Sequence, residues 1–326
     1  MKENGSYSGI VDGLTGSIRL DRYTSEYLRL LSRSQIKSRS LEVKLNGKQV
    51  KISRLVKNGD KIELSWLPAT PSFLEPENID LELIYEDKVC AVINKSQGMI
   101  VHPGAGNHSG TLANALLWRA LNVLNYKTAQ SEMLNYRNGI VHRLDKDTSG
   151  VIITAYNDEA LAFLSAQFKA RTVRKRYLAL VQGIPAVREG QILTRQIRDP
   201  RNRKRFTAIP AKDTGKTQGK IAFTRYRILK SWSDYSLLLL EPRTGRTHQL
   251  RVHLNYLGNP IIGDAIYNPL YKEGCTKRDK FFPDSSLMLH AYSLAITLPG
   301  KTEQQVFKAP LPNRFKTGIA VLNNQL

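Results

Sequence analysis

The sequence predicts an α+β fold in two parts, with a mixed, largely antiparallel sheet in the larger part. Three observations carry that expectation. Segments with the two-residue alternation of strands outnumber those with helical periodicity. The two kinds do not alternate regularly, which speaks against a doubly wound parallel sheet. A Pro-rich stretch, residues 67–78, separates a small N-terminal segment from everything after about Ile79.

The small segment, residues 18–66, reads as a module of its own. Ile18 to Leu31 carries Leu20, Tyr23, Tyr27, Leu28 and Leu31 on one helical face. Ser32 to Lys37 opens a second short helix on a Ser cap. Val43 to Val50 is a hairpin whose Asn46-Gly47 supplies the positive-φ turn. Lys61 to Trp66 alternates like a strand after the turn at Lys57-Asn58-Gly59-Asp60.

The large segment, residues 79–326, opens with strand-like runs at 81–85 and 89–94. A helix follows from Thr111, its cap, to Leu124. Asn157-Asp158 caps another through Ala170, with Leu161, Leu164 and Phe168 on one face. Residues 175–182, 221–232 and 235–241 read as strands. Thr247 to Leu257 reads as a helix that Gly258 stops.

Charge is the strongest compositional signal. Lys plus Arg total 49 against 28 Asp plus Glu, a net +21. Such an excess favours a polyanion, because each neutralised phosphate releases a condensed counterion. A membrane partner is not expected: no apolar run approaches the roughly 18 residues of a span, and the N-terminus lacks the apolar core of a secretory signal. Cys90 and Cys275 lie far apart and form no C-x-x-C, so reduced thiols in a cytoplasmic protein and no structural zinc are expected.

The run Gly139 to Thr154 holds the candidate chemistry. It places Asp145 at a turn between two apolar runs, with Arg143 two residues before it and Thr148-Ser149-Gly150 after it. A carboxylate held that way is a candidate nucleophile or base. On a strand, Arg143 would share its face. His248 and His253 are five residues apart, the wrong spacing for two ligands on one helical face, so no metal is expected. Gly104-x-Gly106-x-x-x-Gly110 lacks the spacing of a dinucleotide loop and reads as a turn. Asp145 and Asp147 sit on one turn and cannot easily flank a sugar as a glycosidase pair. Arg198, Arg201, Arg203, Lys204 and Arg205 crowd one loop with Asp199 opposing, a candidate phosphate contact.

The run from Gly139 resembles the central motif of the RluA-type RNA pseudouridine synthases. Further segments match: Leu83 to Asp87 and Val101 to Asn107, then Lys175 to Gly183, Leu240 to Leu254, and Leu289-His290-Ala291. Asn94-Lys95-Ser96 departs from the family, which commonly has Pro after the Lys, and a local loop change is expected there. The small module resembles an S4-type RNA-binding module through Arg19-Leu20-Asp21, Ser32-Arg33-Ser34, Asn46-Gly47 and Gly59-Asp60. It departs at Arg39 to Glu42, where the family has a longer second helix and a Gly. Arg33 and Lys37 are its candidate RNA contacts.

The resemblance implies isomerisation of uridine to pseudouridine in RNA, with neither cofactor nor metal. Asp145 would be the catalytic carboxylate, attacking C1′ or taking the C2′ proton. Arg251 would lie against it, and a close cation favours the charged form of a carboxylate. Arg246 would be the next candidate, or a phosphate ligand. Tyr177 would stack on the target base and Leu250 would wall the uracil pocket, though its spacing with Leu254 and Leu257 equally makes it helix core. Arg143 would fill the base stack once the uridine is flipped out. The expected enzyme is a cytoplasmic monomer acting on large-subunit (23S-type) ribosomal RNA or its precursor particle. The rivals are an S4-bearing ribosome-assembly factor and the same chemistry on transfer RNA.

Overall fold

The computed structural model describes residues 5–31, 36, 41–66, 74–104, 106–124, 139–202, 205–211, 219–271, 279, 281–282 and 285–324. The chain divides into two compact units, residues 1–73 and 74–326.

In the first unit, β1 (Gly5–Ile10), β2 (Ile18–Arg19), β3 (Glu42–Leu45), β4 (Lys48–Gln49), β5 (Leu55–Val56) and β6 (Lys61–Trp66) form a four-stranded sheet in the order β1-β6-β3-β4 and a β2-β5 pair. The unit thus begins earlier than residue 18. β1 is rich in Gly and Ser, which have low strand propensity, and its pairing along β6 is decided by the partner strand.

The helix expected from Ile18 begins at Leu20. Ile18 and Arg19 pair with Leu55–Val56 instead, and α1 (Leu20–Arg22) runs into a π turn over Tyr23–Tyr27. Ser25 Oγ bonds back to the Asp21 carbonyl at 2.9 Å, a side-chain competitor for the helical ladder. The second short helix, with Arg33 and Lys37, lies outside the described residues.

Asn46 and Gly47 take positive φ of 50° and 78° and turn β3 into β4 as expected. Asn46 Nδ2 also donates to Asp60 Oδ1 at 2.9 Å, and Asp60 Oδ2 accepts the Lys57 N–H at 2.9 Å. The Asn-Gly and Gly-Asp motifs therefore brace each other.

In the second unit Leu74 is buried against Ala113 and Leu117, so the C-terminal part of the expected linker is docked. Ten strands make one sheet: β7 (Leu83–Glu86), β8 (Cys90–Lys95), β9 (Ser149–Ala155), β10 (Arg174–Gln182), β11 (Glu189–Arg198), β12 (Phe206–Pro210), β13 (Lys220–Ser231), β14 (Tyr235–Pro242), β15 (Leu289–Thr297) and β16 (Gln304–Lys308). Their order is β12-β11-β13-β14-β10-β15-β9-β8-β7, with β16 paired to β15. Every pairing is antiparallel except β15 with β9.

That parallel contact covers only His290↔Ser149 and Ala291↔Gly150, after which β15 continues with β16 and the sheet forks. Gly150 has φ 111°, and a Cβ on it would lie inside van der Waals contact of the Ala291 carbonyl. The close approach at the fork therefore needs glycine.

β9 is buried along its whole length, which explains the unbroken run Val151-Ile152-Ile153. One face, with Ile152, Ala91 and Ile93, packs under Leu112, Leu116 and Ala120 of α2 (Leu112–Asn122). The other, with Val151, Ile153 and Cys90, packs under Ala160 and Leu164 of α3 (Asp158–Ala170), whose cap is Asn157. Thr111 caps α2 in a box with Asn114. A third cluster joins β10 and β14 to α4 (Gln249–Tyr256) and α5 (Asn313–Asn323). No described helix is long and apolar enough to cross a membrane. Cys90 is buried and unbridged; Cys275 lies outside the described residues.

Candidate active site

Asp145 stands four residues before β9, next to the fork. The segment leading to it is not a strand, contrary to the reading that put Arg143 and Asp145 on one strand face. The edge of β9 is satisfied there by other means: the Ala155 N–H reaches the Gly139 carbonyl at 2.8 Å, and the Ile153 N–H reaches His142 Nε2 at 3.1 Å. His142 also stacks on Phe168, with ring centroids 4.5 Å apart. Burial, with Lys175 nearby, pushes its pKa down to about 3, so the ring stays neutral and Nε2 stays an acceptor.

The loop after Asp145 is clamped from several sides. The Thr148 N–H closes a turn on the Asp145 carbonyl at 3.1 Å. Lys95 is buried, and its Nζ donates to the carbonyls of Ser96 and Met99 at 2.8 Å and of Lys146 at 3.1 Å. Burial pushes the Lys95 pKa down to about 8, against the pull of Asp147 and Asp145. The Lys-Ser departure thus sits beneath the loop itself. Arg314 of α5 donates to Ser149 Oγ at 2.6 Å, and Ser149 Oγ meets His290 Nδ1 at 2.8 Å.

Facing Asp145 is Arg251 of α4. Its Nη1 lies 3.6 Å from Asp145 Oδ2. Its two closer bonds go elsewhere: Nε and Nη2 donate to the oxygens of Asp264 at 2.8 and 2.7 Å. Asp264 Oδ1 also accepts the N–H groups of Ile266 and Tyr267, each at 3.0 Å. Burial penalises the Arg251 charge, but the bonds to Asp264 outweigh it and hold its pKa above the usual value. The guanidinium also lies over the Tyr267 ring, 5.2 Å from its centroid. Asp145 therefore faces a cation fixed by a different carboxylate.

Sequence reasoning missed Asp264 and Tyr267. The signal for Asp264 was indirect: an Arg on the inward face of a helix needs a buried acid, and Gly263-Asp264 follows a short apolar run.

The loop before α4 hangs on Gln249. Its Oε1 accepts from Thr244 Oγ1 at 2.7 Å and from the Arg246 N–H at 3.0 Å, while Nε2 donates to the Phe223 carbonyl at 3.0 Å. His248 enters the helix with φ 57°, and its Nδ1 lies 3.0 Å from Tyr267 Oη. His253 is engaged on both nitrogens, by Thr194 and Thr224. The helix begins at Gln249, two residues later than the sequence predicts, because His248 takes the left-handed conformation.

Asp145, Tyr177, Arg251, Leu250, Arg143 and Arg246 all line one cavity of about 470 Å³. Tyr177 is half-buried on the central strand β10, paired with Leu240 and Ala291. Burial and the Asp145 charge push its phenol pKa well up, so it stays protonated. Leu250 serves both expected purposes, lining the cavity and packing in the core with Leu254. Arg143 is exposed at the wall, and Arg246 Nε donates to the Ile221 carbonyl at 3.0 Å. Of the basic loop, Arg205 lies over the Tyr267 ring, 5.4 Å from its centroid; Arg203 and Lys204 lie outside the described residues.

Residues 89–256 match the RNA pseudouridylate synthase family. A "Ribosomal large subunit pseudouridine synthase D" of Borreliella burgdorferi is 40% identical over 92% of this chain and 88% of its own length. "RNA pseudouridine synthase 2, chloroplastic" of Arabidopsis thaliana is 35% identical over 96% of this chain and 82% of its own. Among solved structures, human RNA pseudouridylate synthase domain containing 4 is 27% identical with a TM-score of 0.56, covering 74% of this chain and 93% of that one. The match spans the Asp145 loop, β10 and α4, which all line the cavity: this chain belongs to the RNA pseudouridylate synthase family, whose members are isomerases.

Proposed function

We propose that Asp145 is the carboxylate that breaks and remakes the glycosidic bond, and that the uridine lies in large-subunit ribosomal RNA. One observation carries the first part. Asp145 is at the cavity wall 3.6 Å from a guanidinium whose nearer hydrogen bonds belong to Asp264. The guanidinium faces Asp145 without closing on it, which leaves the carboxyl group open to the ribose. The N1–C1′ bond breaks, C5 bonds to C1′, and the C5 proton leaves while N1 gains one. The product is an isomer of the substrate, so no atom is imported.

Tyr177, with its phenol protonated, offers a ring to stack on the uracil and a proton donor. Leu250 gives the pocket an apolar wall. Exposed Arg143 is suited to enter the stack the uridine leaves, offsetting part of a cost of a few kcal/mol. The first unit acts in this reading as the S4-type RNA contact, and the protein works in the cytoplasm. The relative named for the large ribosomal subunit supports the substrate.

Carbodiimide modification with primer extension tests it, on unmodified large-subunit ribosomal RNA and on unmodified transfer RNA. New stops in the ribosomal RNA are expected. Stops confined to transfer RNA would overturn the substrate, and stops in neither would favour the assembly-factor reading.

A further inference from the structure

The cavity has a second wall that the isomerisation does not use. Lys175 lies on β10 two residues before Tyr177, so both side chains leave the same face of the strand. Their Cα atoms are roughly 7 Å apart along it. Lys169, Arg171, Lys175 and Arg243 all line this side of the cavity. Three different elements bring them together: the C-terminal end of α3, the first half of β10, and the turn after β14.

Two other cations of the cavity have partners, while Arg143 is exposed at its wall. Arg251 is held by Asp264, and Arg246 donates to a carbonyl. Among the described residues, no side-chain hydrogen bond or ion pair is made by Lys175, Arg171 or Arg243. Lys169 and Arg171 oppose the negative end of the α3 dipole, but that leaves Lys175 and Arg243 unexplained, since both lie beyond the helix. Val173, Phe168 and the neutral His142 line the cavity together with Lys175. Burial and the cations Arg171 and Arg243 push the Lys175 pKa down to about 8, and no acidic group offsets them. Glu241 lines a smaller neighbouring cavity with Lys175 and Arg243 but bonds Arg176 at 2.8 Å, so the gathered like charges cost free energy that an incoming anion would relieve.

We propose that Lys175, Arg171 and Arg243 form an anion subsite that takes a backbone phosphate of the RNA next to the uridine held at Asp145. The proposal rests on the RNA-isomerase reading of the same cavity. Phosphate contacts of this kind position a nucleic acid without reading its sequence. Here the contact would fix the ribose of the target against Asp145 in the same cavity.

The test uses the full chain and unmodified large-subunit ribosomal RNA whose phosphates have been ethylated at about one per molecule. Wild type, Arg243→Gln and Lys175→Gln/Arg243→Gln are compared, with thermal unfolding as the folding control. Arg243 is exposed, so the single variant keeps the comparison valid even if loss of Lys175 disturbs the core. For wild type, ethylation of a phosphate adjoining the isomerised uridine should exclude RNA from the bound fraction. In the variants that interference should vanish, and the slope of log affinity against log salt should become shallower by about one per cation removed. The same interference pattern and the same slope in all three proteins would overturn the subsite. If wild type isomerises no uridine in this RNA, the underlying reading falls and the subsite with it.

Discussion

At the scale of single residues, the site is two carboxylates sharing one arginine. Asp264 takes the two shortest bonds of Arg251, and Asp145 lies at 3.6 Å from what remains. Removing one partner of a buried pair leaves an uncompensated charge. Asp264→Asn should therefore lower unfolding stability by about 3 kcal/mol in urea titration and also cut turnover, because Arg251 is then free to bond Asp145 directly. Asp264→Glu should recover part of both. Wild-type stability and turnover in Asp264→Asn would contradict this arrangement. Lys175 gives a pH test. Its folded pKa, about 8, lies below its ordinary value of 10.5. Between those values the unfolded chain binds more protons, so the destabilisation by Lys175 is full below about pH 8 and fades as pH rises through that window. Wild-type stability should accordingly rise more steeply from pH 8 to 9.5 than that of Lys175→Gln. Equal slopes in urea unfolding would mean that Lys175 is not depressed.

At the scale of elements, the fork between β9 and β15 carries the Asp145 loop. Gly150→Ala puts a Cβ against the Ala291 carbonyl at φ 111° and should cost about 2 kcal/mol or more. Its thermal unfolding should fall together with its activity; full stability would show that the fork can open without harm. Much of the element pattern was legible. Thr111 and Asn157 declared their helices, because a cap is a local hydrogen bond. Asn46-Gly47 declared its hairpin for the same reason. β1 was not legible, since Gly and Ser give no period and only β6 orders them. Nor was the irregular path from Ile140 to Asp145, where the His142 ring replaces a backbone partner. The candidate site was legible where motifs are contiguous, at Asp145, Tyr177 and Arg251. Asp264 and Tyr267 meet Arg251 only through the fold, across 13 and 16 residues of chain.

At the scale of the whole molecule, charge is distributed over both units. Residues 1–73 hold 13 Lys and Arg against 7 Asp and Glu, so the larger share of the net +21 lies with the catalytic unit. Removal of residues 1–73 should weaken RNA binding and flatten its salt dependence while leaving the second unit, with its own core, folded. Unchanged affinity and slope would mean that the first unit is not an RNA contact. We propose, more narrowly, that Asp145 performs the isomerisation in a cavity that binds RNA without it. Because C5 loses its hydrogen when it bonds to C1′, release of tritium from RNA carrying 5-tritiated uridine reports the reaction itself. The measurement to make is that release under single turnover, alongside RNA affinity, for wild type and Asp145→Asn. The expected result is release by wild type, none above background by the variant, and equal affinity for both. Release by Asp145→Asn at the wild-type rate would contradict the account.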